Sequence, residues 1–250
     1  MSNLILKGSL WFASDFHLSE NHYATLEAFK ALIHEASSYS DALLLLGDVF
    51  DIWIGDDVIN LAPEWLEEIL FAMKQATRKI PVFLVRGNRD FLLGKEFSSF
   101  TGIKLISSQT IINTDFKTII VTHGDELCTD DLEYQKFKML TNNENWKKQF
   151  LYKPIEERLS LASSLRNYSN INNKSKPNDI MDINESELLR VFDSHKVQIM
   201  IHGHTHKKGK VNYNFKNSLC ERWVLPEWDL DDKLTKQGKI ILDSNGIRFA

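Results

Sequence analysis

Val197-Gln198-Ile199-Met200-Ile201-His202-Gly203-His204-Thr205-His206 carries an apolar run straight into three histidines on alternate positions. In an extended backbone alternate side chains share a face, so the spacing predicts that His204 and His206 converge on one point. Gly203 removes a side chain where close approach is needed. Neutral imidazole is the commonest nitrogen ligand of divalent transition metals. One histidine after one strand would read as a polar turn. The same ending recurs along the chain, and the recurrence makes these histidines candidate ligands.

Leu10-Trp11-Phe12-Ala13 reads as a short buried strand that delivers Asp15 and His17 at the same alternate spacing. A helix is predicted over 23–37, with Leu26, Phe29, Ala31, Leu32 and Ile33 on its apolar face. The run Ala42-Leu43-Leu44-Leu45-Leu46 is short and meets Gly47-Asp48, which favours a buried parallel strand over a helix. Asp51, Asp56 and Asp57 follow, and Pro63-Glu64 opens the next helix. Val82-Phe83-Leu84-Val85 leads into Gly87-Asn88-Arg89-Asp90, where the Asn88 carbonyl can act as a neutral oxygen ligand. Residues 118–122 lead into His123-Gly124-Asp125. Five apolar runs thus end in Asp, Asn or His, and five of the eight histidines fall in those endings. In open α/β sheets ligands bind beyond the carboxyl ends of the strands. The pattern predicts an α/β fold with a single site assembled at strand ends.

The length of 250 residues suits one large domain with an insertion. A net charge of −4 gives no reason to expect nucleic acid as a partner. Cys128 and Cys220 form no C-x-x-C pair, which suits a reducing cytoplasm. No apolar run approaches the roughly 20 residues needed to span a bilayer, so a soluble or at most peripheral protein is expected. Between Thr129 and Asn184 the texture changes: aromatics mix with bases, Pro154 should break any helix, and 170–178 reads as a polar loop. This stretch is expected to cover the strand ends as an insertion, while its composition taken alone favours a plain helical crossover. Arg222-Trp223-Val224-Leu225 and Lys239-Ile240-Ile241-Leu242 are expected to complete a second sheet.

The candidate ligands are Asp15, His17, Asp48, Asn88, His123, His204 and His206. Seven oxygen and nitrogen donors exceed the needs of one tetrahedral ion and suit two ions sharing a carboxylate. Mixed carboxylate and imidazole donors without thiolate point to manganese, iron or zinc. Two such ions about 3.5–4 Å apart activate water against a phosphoryl centre. Hydrolysis of a phosphate ester or phosphoanhydride is the expected chemistry.

In this order, D-x-H, G-D-x-x-D, G-N-x-D, H-G-D and G-H-T-H resemble the calcineurin-like metallophosphoesterases over nearly the whole chain. The resemblance implies a β-sandwich flanked by helices, forming a single domain over 1–250. A helical cap inserted at about 131–179 would lie over the active site. Longer stretches (14–18, 47–57, 87–92, 123–131 and 180–184) are similar to the group that cleaves the diphosphate of a UDP-linked diacylated glucosamine lipid in lipid A synthesis. That similarity implies two Mn2+ ions per chain, one on Asp15, His17, Asp48 and His206. The other would sit on Asp48, Asn88, His123 and His204, with Asp48 bridging. It assigns catalysis to Asp48, Asn88, Arg89 and His123, and substrate contacts to Asn88, Arg89, Asp131, Ser169, Asn173, Lys176 and His204. It also implies that the cap encloses two acyl chains, with Trp146, Phe150, Leu151 and Ile155 facing lipid. A monomer is expected, peripheral on the cytoplasmic side of the bacterial inner membrane. The chain departs from the group's pattern at Lys207-Lys208, where Arg-Pro is common, and at Pro226-Glu227, where a Gly is more usual. Arg89 argues against a phosphoprotein or cyclic-nucleotide phosphatase, which usually carries a histidine there. A catalytically dead scaffold would have lost ligands, and all seven are present.

Overall fold

The computed structural model describes residues 2–175, 180, 182–232 and 235–250, the side chains of 2 and 167–175 excepted. The described chain forms twelve strands, with helices between some of them: β1 (Ser2–Ile5), β2 (Leu10–Ala13), β3 (Ala42–Leu45), β4 (Val82–Val85), β5 (Lys104–Ile106), β6 (Thr110–Asn113), β7 (Thr118–Val121), β8 (Ile199–His202), β9 (Gly209–Phe215), β10 (Ser218–Val224), β11 (Ile240–Asp243) and β12 (Gly246–Phe249). They form two six-stranded sheets, ordered β1-β6-β7-β8-β10-β9 and β12-β11-β2-β3-β4-β5. The helices are α1 (Tyr23–Tyr39), α2 (Glu64–Thr77), α3 (Lys95–Thr101), α4 (Leu132–Thr141), α5 (Glu144–Leu151), α6 (Ile155–Ser175) and α7 (Glu185–His195).

Strand alternation explains why the apolar runs are continuous. Leu10, Phe12, Leu44 and Val85 point between the sheets and meet Ile119, Val121, Ile199 and Ile201 from the other sheet. Their neighbours Trp11, Ala13, Leu43, Leu45 and Leu84 point outward onto Leu26, Phe29, Ile69 and Leu70 of α1 and α2. On the far side, Ile120 and Met200 pack under Leu188, Val191 and Phe192 of α7. Both faces of each central strand are therefore buried, as in a helix-covered parallel sheet. The neighbours β2, β3, β4 and β5 run parallel, and so do β7, β8 and β10.

The two late strands do not complete one sheet together. β10 pairs with β8, whereas β11 pairs antiparallel with β2, so each sheet gains one. Pro154 does end the run of α5, and a new helix starts at Ile155. That helix continues to Ser175, through residues whose polarity suggested a loop. Two ion pairs tie α6 to the loop after β3. The almost fully buried Arg158 donates to Ile54 O (2.7 Å) and Asp57 Oδ1 (2.8 Å), and Arg166 pairs with Asp51.

The loops after β3 and β4 are joined by one buried carboxylate. Asp90 accepts from Gly87 N (2.7 Å) and from Val49 N across the gap (2.8 Å). Asp90→Ala leaves both buried N–H groups without an acceptor and is expected to cost about 2–4 kcal/mol. Urea unfolding of the metal-free variant measures this, and an unchanged midpoint would contradict it.

Candidate active site

The ligand-bearing loops lie along one another before any side chain is considered. Asp15 N donates to Gly47 O (3.1 Å), Phe16 N and His17 N to Asp48 O (2.9 and 3.0 Å), and Gly203 N to His123 O (2.9 Å). His204 N closes the ring by donating to both oxygens of Asp15 (3.1 and 3.0 Å). Gly203 has the role its position suggested, because a Cβ there would collide with the Asp15 carboxylate and the Ser14 hydroxyl. Gly87 likewise leaves room for Asp48.

His204 and His206 line the same cavity but on different partners, His206 against Asp15 and His204 against Asn88, and strand alternation does not set their positions. β8 stops at His202, and His204 and His206 adopt positive φ, as do Asp15, His17 and Asp48, all between +48° and +66°. Left-handed backbone costs a non-glycine residue roughly 1–2 kcal/mol. Such residues cluster at functional sites when the surroundings hold them in place, and the backbone ring above does so. His202 does not join the others. It is buried, its Nδ1 donates to Gly203 O (2.7 Å), and its Nε2 accepts from Arg222 Nε (2.9 Å). Burial and the Arg222 charge push it down to about 3, which keeps it neutral.

Six of the candidate ligands are linked directly. His206 Nε2 lies 3.2 Å from Asp15 Oδ1, and His123 Nε2 lies 3.6 Å from Asp48 Oδ1. The Asn88 carbonyl oxygen sits 3.0 Å from both His123 Nε2 and His204 Nδ1. The seventh, His17, approaches Asp48 Oδ2 only to 4.0 Å. Among the described residues two groups of His and Asp side chains are compact enough to hold an ion. In Asp15, His17 and His206, and again in Asp15, Asp48 and His123, the donor atoms lie within 4.8 Å of one another. Asp15 is therefore as central as Asp48, which alone was expected to bridge.

The electrostatics fit cation binding. Burial opposes charge on His206, but hydrogen bonds to Asp15 and Glu227 outweigh it and hold the imidazole up to about 10. Burial opposes charge on His123 too, and Asp48 and Asp15 hold it up to about 9. Asp48 itself is pushed up to about 7 by burial. Asp15 is buried as deeply, yet His206 keeps its carboxyl well below the usual range. Burial brings His17 and His204 down to about 3, so both offer neutral lone pairs. The His17 Nδ1 is buried without a hydrogen-bond partner among the described residues, as befits a nitrogen reserved for a cation. Oxygen and imidazole donors on facing loops fit a pair of divalent ions.

Sequence reasoning missed four contributors. Glu227 accepts from His206 Nδ1 (2.6 Å) and so orients a candidate ligand, in the manner of outer carboxylates at metal sites. It had stood out only as an irregularity. Tyr134 donates to Asp125, and its ring centroid lies 6.0 Å from that of His204. Arg166 takes Asp51, the second carboxylate of G-D-x-x-D, away from the candidate ligands. Arg222 locks His202. None of the last three belongs to a motif, so only the fold reveals them.

A cavity of about 490 Å³ opens from these donors into apolar walls. His17, Asp48, Asn88, Arg89, His204 and His206 line one end, and Ile52, Trp53, Phe137, Trp146, Phe150 and Leu165 the other. Trp146 stacks on Phe150 with ring centroids 5.1 Å apart. Leu151 and Ile155 do not line it: Leu151 is partly exposed to solvent and Ile155 packs on the helix-covered core. Asp131 lines the cavity and also caps α4 by accepting from Tyr134 N (3.1 Å). The side chains of Ser169 and Asn173, and all of Lys176, lie outside the described residues.

The sequence model for calcineurin-like phosphoesterases matches residues 8–208. The UDP-2,3-diacylglucosamine hydrolase of Bordetella pertussis is 43% identical, over 99% of this chain and 96% of that protein. The protein of the same name from Yersinia enterocolitica is 36% identical, over 91% of this chain and 94% of its own length. Among solved structures, an archaeal phosphodiesterase aligns with a TM-score of 0.45 at 13% identity, over 97% of this chain and 98% of that one.

The raised imidazoles carry a pH signature. Because the folded values for His123 and His206 lie near 9 and 10, their contribution to the metal-free fold is complete below the ordinary histidine value near 6.5. It is lost as pH rises through those values. A cation must displace both protons, so Mn2+ should bind more tightly as pH rises and release about two protons near neutral pH. Calorimetric titration in two buffers of different ionisation enthalpy measures the release, and none at all would contradict this electrostatic picture. Glu227→Ala should weaken Mn2+ binding roughly 10- to 100-fold.

Proposed function

We propose, for a chain that belongs to the calcineurin-like phosphoesterase family, that it hydrolyses the diphosphate of UDP-2,3-diacylglucosamine to UMP and 2,3-diacylglucosamine 1-phosphate, a step of lipid A synthesis. The relatives named for that hydrolase share 36–43% of their residues with this chain over nearly its full length. One observation carries the reading: a cluster of oxygen and imidazole donors suited to divalent metal opens directly into an apolar chamber. A polar phosphate ester would gain nothing from such walls, whereas each acyl methylene buried there contributes about 0.8 kcal/mol.

Asp15, His17, Asp48, Asn88, His123, His204 and His206 would hold two ions, which we take to be Mn2+. Bound there, the ions would supply a more acidic water and positive charge for the phosphoryl oxygens. The chain does the rest. Asp48 is fixed by the backbone N–H of Arg89 (2.8 Å), so the carboxylate cannot swing away from the site. The Arg89 side chain itself reaches into the chamber, where its Nε is buried without a hydrogen-bond partner among the described residues. A guanidinium fork suits two phosphate oxygens at once and stabilises the charge that builds as the anhydride opens. It offers no acid proton. None is needed, because a sugar 1-phosphate, with a second pKa near about 6, leaves without protonation. The walls formed by Trp146, Phe150 and Leu165 exclude water from the acyl side.

Among the described residues no helix is long and apolar enough to cross a membrane. Leu132, Met139, Leu140, Leu151 and Tyr152 stand exposed on or beside the helices α4 and α5. Those side chains support a protein, which we take to be a monomer, that meets the cytoplasmic leaflet of the inner membrane peripherally and draws its lipid from there.

UMP release from UDP-2,3-diacylglucosamine should require divalent metal and stop on chelation. UDP-glucosamine without acyl chains should be a far poorer substrate, and equal efficiency on both would contradict the lipid chamber. Arg89→Ala should lower turnover about 100-fold while metal content, read by elemental analysis, stays unchanged. Loss of metal from that variant would place Arg89 in ion binding instead.

A further inference from the structure

Hydrolysis of a UDP-linked lipid leaves two unlike halves, and the apolar chamber suits only one of them. The nucleotide half is anionic and rich in polar groups, and burying such groups among Phe150, Trp53 and Leu165 without partners is unfavourable. It needs a second recess that reaches the same donors from another side.

A cavity of about 220 Å³ meets that requirement. It shares Asn88, Phe91, Tyr134 and Phe137 with the apolar chamber, so the two recesses meet at these side chains. Asn88 is the side chain whose carbonyl stands between His123 and His204, which puts the junction at the reacting centre. Beyond it the walls change character. Arg86, Lys138 and Lys147 supply positive charge, and Ser107 and Ser108 supply hydroxyls from the turn between β5 and β6. Arg86 is anchored at Nε by Leu93 O (2.5 Å), which leaves its other guanidinium nitrogens for a ligand. Among the described residues Lys147 pairs only with the exposed Glu144 (3.0 Å), a partner that water can replace. Lys138 is committed to Asp125 (2.7 Å) and neutralises the acid in this wall. The rings of Phe91, Tyr134 and Phe137 stand at the junction itself and separate the two recesses.

We propose that this polar recess binds the nucleoside monophosphate half of the substrate, a pyrimidine nucleotide, while the acyl chains occupy the larger chamber. The assignment rests on the UDP-lipid reading. Cleavage at the junction then separates the halves into two compartments, with the displaced groups on opposite sides of Asn88. Arg86 and Lys147 bind the nucleotide, and Tyr134 and Phe137 divide the two rooms.

UMP is the probe, measured by equilibrium dialysis against the Mn2+-loaded protein, with 2,3-diacylglucosamine 1-phosphate as the comparison ligand. Ser108→Trp fills the recess from an exposed turn, and Lys147→Ala removes a cation at its edge; neither residue is a candidate metal ligand. Each is expected to weaken UMP at least tenfold and the lipid product less than twofold. UMP affinity unchanged in both variants, no UMP binding by the wild type, or a loss confined to the lipid product would overturn the assignment. Wild-type protein that binds UMP in this recess yet does not cleave the UDP-lipid would sink the substrate reading and leave the nucleotide site standing.

Discussion

Asp48 is the residue on which the rest of the site depends. Its carbonyl receives two N–H groups from the loop after β2, its carboxylate receives one from the loop after β4, and it faces His123 from the loop after β7. Three strand ends from two sheets are thereby held within reach of one carboxylate. The backbone at Asp48 is left-handed, and four other candidate ligands share that conformation. The interlocking hydrogen bonds outweigh this strain, so the donors are placed before any ion arrives. Preplacement matters because a ligand shell that must first be organised weakens both metal affinity and catalysis.

The two sheets contribute differently. Parallel order within β2-β3-β4 and within β7-β8-β10 sends every ligand loop to one edge of the sandwich. The helices α4 to α6 then build over that edge, held by Arg158 and Arg166 to the loop after β3. Those two arginines tie the walls of the apolar chamber to the loop that carries Asp48, so substrate binding and catalysis share one mechanical support. The same α4 side chains, Tyr134 and Phe137, separate the apolar chamber from its polar neighbour.

Much of this was legible because the chemistry sits in short motifs at the ends of apolar runs. The central strands β2, β3, β4, β7 and β8 could be read directly, and the seven candidate ligands do come together at one place. What misled was the assumption that D-x-H and G-H-T-H stay extended: side-chain period alone cannot report a left-handed turn at Asp15 or His204. β1, β5 and β6 went unread because they are edge or near-edge strands with short or weakly apolar sequences. The polar end of α6 hid its helix, since a helix supported by local hydrogen bonds needs no apolar periodicity there. Glu227, Arg166 and Arg222 act through tertiary proximity across 21, 115 and 20 positions, which no local pattern encodes.

The central claim is that one carboxylate-bridged centre holds two ions. Electron paramagnetic resonance of the Mn2+-loaded protein, with metal content measured on the same sample, tests it most directly. Two ions per chain with an exchange-coupled spectrum are the expected result. One ion per chain, or two ions giving only the hyperfine pattern of isolated Mn2+, would contradict the account.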